Sequence, residues 1–79
     1  MSNLPQLGDV VLLNLHDADT PYGIALYGGP LRFVESDLTN ARIRMDNLAK
    51  ALSVDAWRTE PDGSYSCVKR FRPEVHPAA

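Results

Sequence analysis

The sequence predicts an α+β domain: an antiparallel sheet of four to five strands with one helix packed on one face, in the order β-β-β-α-β-β. Three observations carry this. Leu38, Ala41, Met45, Leu48 and Leu52 recur at spacings of three and four, which stacks them on one helical face. Two alternating runs, residues 54–59 and 65–71, follow with only Glu60-Pro61-Asp62-Gly63-Ser64 between them, and that loop carries the Pro, Asp and Gly that turns use. Upstream, residues 10–15, 22–27 and 31–34 read as three further strands.

Residues 1–8 contain Pro5 and Gly8 and no periodicity, so they are expected to form a loosely held arm. Val11, Leu13 and Leu15 alternate along the first strand. His16-Asp17-Ala18-Asp19-Thr20-Pro21 is turn chemistry, because short polar side chains bond their own backbone. Tyr22, Ile24 and Leu26 alternate with Gly23, Ala25 and Tyr27 in the second strand. Gly28-Gly29-Pro30 then reverses the chain, since glycine reaches positive φ without a steric penalty. After the third strand, Ser36 or Thr39 offers an N-cap, Asp37 brings negative charge to the first turn, and the helix spans residues 37–52 with Ser53 outside it. Pro73 and Pro77 mark a frayed tail. The chain therefore reads as one domain, residues 1–79, with residues 1–8 and 73–79 loosely ordered.

Register decides which side chains are available for function. A five-residue loop at residues 60–64 pairs Thr59 with Tyr65, Trp57 with Cys67 and Asp55 with Lys69. Trp57, Tyr65, Cys67 and Phe71 then share one face, which large rings favour placing under the helix. The other face collects Arg58, Arg70 and Arg72 as a basic stripe facing water.

At 79 residues, with about 60% of the unfolded surface buried, the chain has a small core and too few residues to wall a deep cofactor cavity. No cofactor is expected. Eight basic and ten acidic residues give a formal charge of −2, which argues against a general nucleic-acid coat and against an acidic DNA mimic. One cysteine excludes an intrachain disulfide and any zinc site built on several thiolates. The amino end lacks a basic region followed by a long apolar run, and no stretch approaches membrane-spanning length. The expectation is a cytoplasmic protein without membrane contact.

Motifs with chemical content are few. His16, Asp17, Asp19 and His76 form the one cluster of metal-ligand types, but their spacing matches no metal signature and the aspartates have a turn role. Cys67 sits mid-strand opposite Trp57 without a base nearby, as an inert core thiol would. Gly28-Gly29 lacks the Lys-Ser or Lys-Thr of a phosphate loop. No catalytic constellation is present, and an enzyme is not expected. Ile43 lies off the apolar stripe between Arg42 and Arg44, an interface-like composition. Tyr27 alternates with Gly23 and Ala25, which makes it a candidate exposed anchor.

The segments Leu48-Ala49-x-x-Leu52, Val54-Asp55-Ala56-Trp57, Asp62-Gly63 and Phe71-Arg72-Pro73 are similar to small bacterial and phage domains with paired strands, an Ala/Leu-rich helix and a closing hairpin. In size and element order the chain also resembles some anti-CRISPR proteins of phages. That resemblance implies an inhibitor, acting in the host cytoplasm, that occludes a surface on a larger bacterial complex such as a CRISPR effector. The function expected is thus non-catalytic protein binding through Arg42, Arg44, Arg58, Arg70, Arg72 and Tyr27, as a monomer or homodimer. The alternative is a small nucleic-acid-binding domain using the same basic sheet face.

Overall fold

The computed structural model of the chain describes residues 4–73. Six elements follow one another: β1 (Val10–Asn14), β2 (Tyr22–Leu26), β3 (Leu31–Glu35), α1 (Leu38–Leu52), β4 (Ala56–Thr59) and β5 (Tyr65–Lys69). They build an α+β domain in which all five strands join one sheet, ordered β3-β2-β1-β4-β5. The three hairpin-type neighbours pair antiparallel, but β1 and β4 run parallel, so the sheet is mixed rather than wholly antiparallel. The cause is the helix: α1 carries the chain across the sheet between β3 and β4, and a crossover returns the next strand in the parallel sense.

Local chemistry explains the boundaries. The helix begins at Leu38, one residue later than the sequence suggests, because Asp37 is itself the N-cap and its side chain accepts from the Asn40 N–H. Ser36 and Thr39 do not serve. Ser53 ends the helix in the left-handed region at φ 55, its N–H returning to the last turn. In the β4–β5 turn Gly63 takes φ 88, and in the β2–β3 turn Gly28 takes φ 76. Asp17 accepts from the N–H groups of Asp19 and Thr20, the turn role its position implies.

The β4–β5 register pairs Trp57 with Cys67 and Thr59 with Tyr65, as expected. A bulge then shifts the ladder, so Lys69 faces Ala56 instead of Asp55.

Which face lies under the helix differs from the sequence-based expectation. Ala41, Met45 and Ala49 of α1 bury against Val10, Leu12, Ile24 and Ala56. Leu38 and Leu52, at the helix ends, stay exposed. Trp57 and its row mates Tyr65 and Cys67 therefore project from the opposite side of the sheet. Phe71 alone of the four packs against the helix-side core, reached past the bulge. The physical reason is close approach: a helix presenting two alanines sits low on the sheet, and Ala56 fits beneath it where an indole would hold it off. Consequently Arg58, two residues from Ala56, lies on the helix side of the sheet, and the basic stripe on the bare side does not form.

Candidate functional site: the outer face of the sheet

Strand alternation and register define the face that α1 leaves open. One row runs Leu31, Ala25, Val11, Trp57, Cys67 across all five strands. A second contains Val34, Gly23 and Leu13, with the Thr59–Tyr65 pair beyond. None of these side chains is charged. A Cβ built on Gly23 would meet Leu31 Cδ1 at 2.9 Å and Leu15 Cδ1 at 3.1 Å, so two leucines close over the glycine on this side.

The centre of the face is covered by the protein's own aromatics and its rim is not. Val11, Trp57 and Ala25 are 3%, 5% and 7% exposed. Tyr27 and Tyr65 meet edge-to-face, with ring centroids 5.7 Å apart and planes at 90°. Beside them lies a hollow of about 220 Å³ lined by Val11, Leu13, Ala25, Tyr27 and Tyr65. Leu31 and Val34, towards the β3 edge, remain 49% and 45% exposed. Leu7, which crosses Gly28 at the rim of the hollow, is almost fully open to solvent.

A buried polar cluster fixes one end of this face. Asp9, 0% exposed, accepts from the Gln6 and Asp55 N–H groups, the Trp57 indole N–H at 3.1 Å and the Arg72 guanidinium. Asp55 accepts from the Phe71 and Arg72 N–H groups, and Arg70 stands 3.6 Å from its other oxygen. Burial pushes the Asp9 carboxyl up, but hydrogen bonds from Arg72, Gln6 and Asp55 outweigh it and hold it below the ordinary carboxylate value. The cluster ties the segment before β1, the start of β4 and the segment after β5 together, and it orients Trp57 on the outer face.

The six residues expected to contact a partner do not form one surface. Arg42 and Arg44 point to opposite flanks of α1, 200° apart at 100° per residue. Arg44 stacks over Phe33, 5.0 Å from its ring centroid, and pairs with Glu35. Arg58 pairs with Glu60 on the helix side of the sheet. Arg70 and Arg72 sit with Asp55 and Asp9 at the sheet end. Tyr27 alone lies on the outer face.

Among the described residues no three His, Cys, Asp or Glu side chains come together in metal-binding geometry, and His76 lies outside those residues with the tail after Pro73. Cys67 is half-buried, and burial raises its thiol pKa against the opposing pull of Arg70. No described helix is long and apolar enough to cross a membrane. Comparison with protein families, with curated proteins and with solved structures gives no match.

Sequence reasoning missed Asp9 and Asp55 as partners. The available signal was an Asp directly before each of two apolar runs, Val10-Val11 and Ala56-Trp57. It also missed Leu13, Leu31 and Val34 as surface, because alternation alone does not say which face a helix will cover.

Proposed function

We propose that the protein is a non-catalytic protein-binding module whose docking surface is the outer face of the sheet. The observation that carries this is an uncharged outer face that the helix leaves open, buried at its centre but with Leu31 and Val34 exposed along the β3 side. Sheets hide an apolar face against another layer, and exposed apolar patches on small proteins mark interaction sites. The partner that fits is a protein presenting a flat, uncharged, apolar patch: charged groups there would lose solvation without gaining a counter-charge.

Size refines the reading. Five strands about 4.8 Å apart, each about five residues at 3.3 Å, make a footprint of roughly 400 Å². Two such faces bury on the order of 800 Å², below the 1,200–2,000 Å² of stable complexes. The face alone suits a transient contact with a partner better than an obligate pair of identical chains.

An inhibitory role, covering a surface of a larger bacterial complex such as a CRISPR effector in the host cytoplasm, rests on the resemblance in size and element order. The nucleic-acid alternative loses support from the geometry, since Arg58, Arg70 and Arg72, the residues of the expected basic sheet face, each stand beside a carboxylate. The experiment is affinity capture from bacterial lysate with three baits: wild type, Leu31→Lys/Val34→Lys, and Arg58→Glu/Arg70→Glu. Docking by the outer face predicts that the wild-type partner is kept by the arginine variant and lost by the lysine variant. The reverse pattern, or capture that weakens with a log-log salt slope of several units and consists of nucleic acid, contradicts it.

A further inference from the structure

Strand β3 pairs with β2 and forms one edge of the sheet, so half of its backbone N–H and C=O groups face outward without a ladder partner among the described residues. Against that edge lies a trough between α1 and β3. One part, about 260 Å³, is lined by Phe33, Arg44, Asn47 and Leu48. The adjoining part, about 490 Å³, is lined by Glu35, Asn40, Ile43, Arg44 and Asn47. Arg44 and Asn47 belong to both, which makes the trough continuous. We propose that this edge and trough accept an extended segment of a partner protein as a sixth strand, with alternating apolar and acidic side chains. The proposal rests on the protein-binding reading and names the chain segment it would recognise.

The alternation follows from what lies on either side of β3. A strand added here places every second side chain on the outer face, beside Leu31 and Val34, which are half exposed and apolar. The intervening side chains land over the trough. There Arg44 offers a guanidinium, Asn40 and Asn47 offer amide N–H donors, and Phe33 and Leu48 supply an apolar floor. Glu35 is already engaged by Arg44. Exposed Arg32, in β3 itself, adds a second cation at the edge. With two cations to one carboxylate, this edge matches partner carboxylates better than lysines.

Pairing chemistry argues against a second copy as the occupant. Two β3 edges overlapped antiparallel over Leu31–Glu35 set Leu31 opposite Glu35 and Arg32 opposite Val34, so four of the five positions match a charged side chain with an apolar one instead of with a counter-charge. An added strand also enlarges the footprint on the outer face, bringing a transient contact towards the size of a stable one.

The test uses the full chain and two synthetic heptapeptides, one alternating leucine and glutamate, the other alternating leucine and lysine. Binding is followed by fluorescence anisotropy and by amide hydrogen exchange. The leucine–glutamate peptide is expected to bind at least tenfold tighter and to slow exchange in residues 31–35. Arg44→Glu, and separately Arg32→Glu at an exposed position, are expected to weaken it about tenfold and to narrow or reverse the preference. Equal binding of the two peptides, no binding, or protection elsewhere than β3 overturns the sixth strand. If that happens while the lysate partner still depends on Leu31 and Val34, the docking face survives and only its extension falls.

Discussion

The Arg72 guanidinium donates to the Asp9 carboxylate, joining residues 63 positions apart at the two ends of the described chain. Asp9 is wholly buried, whereas about a third of the Arg72 side chain reaches solvent. Neighbouring donors from Gln6, Asp55 and Trp57 fill the remaining acceptor positions of Asp9. A buried charge is tolerated only when paired and hydrogen-bonded in this way.

Removing one member should therefore be costly. Asp9→Asn is expected to lower unfolding free energy by about 2–4 kcal/mol, because it leaves Arg72 without its counter-charge and breaks the acceptor set. Arg72→Met should cost a similar amount by leaving Asp9 unpaired. The double variant should recover about 1–3 kcal/mol of the summed loss in urea denaturation, since the two residues share one interaction. Simple additivity would place the stabilising contacts elsewhere.

The pH dependence has a definite sign. The folded-state pKa of Asp9 is depressed, so its contribution is fully present above the unfolded value of about 3.9 and is lost as pH falls from there towards the folded value. Urea midpoints measured from pH 7 down to pH 3 should drop through this range in wild type. In Asp9→Asn the loss is already present at pH 7, and the slope below pH 5 should be shallower.

Trp57 offers a finer probe. Trp57→Phe keeps an aromatic ring on the outer face but removes the indole N–H that Asp9 accepts at 3.1 Å. A cost of about 1–2 kcal/mol is expected from the lost bond to a charged acceptor, with part of it from the smaller ring. Thermal unfolding of the variant in parallel with Asp9→Asn measures it.

Cys67 should behave as a sluggish thiol. Its pKa is raised, with burial the main cause, so the thiolate fraction near neutrality is small. Alkylation by iodoacetamide at pH 7.5 should be slower than for a free cysteine peptide. A rate equal to or above the peptide's would mean an activated sulfur on the outer face.

Much of the architecture was legible in the chain. The helix stripe of Ala41, Met45 and Leu48 and the Trp57–Cys67 and Thr59–Tyr65 register depend on local spacing and loop length, which a sequence displays directly. The face choice was not legible. Both alternation sets of β1 are apolar, Val10 and Leu12 on one side, Val11 and Leu13 on the other, so β1 gives no preference. What decides is the low profile of Ala41 and Ala49 against Ala56, a packing relation between distant segments. The Asp9 cluster was hidden for a related reason. Only the parallel β1–β4 pairing brings Asp9 and Asp55 to the same end of the sheet, and an antiparallel arrangement would separate them. With Ala56 under the helix, Arg58 moved off the open face, and the expected arginine surface dispersed into four places.

The most direct measurement is hydroxyl-radical footprinting of the protein, free and in complex with its captured partner. Docking by the outer face predicts that labelling of Tyr27, Leu31 and Val34 falls on complex formation, while Leu52, exposed at the end of α1, shows a smaller change. Unchanged labelling of Tyr27, Leu31 and Val34, with protection confined to α1, would contradict the account.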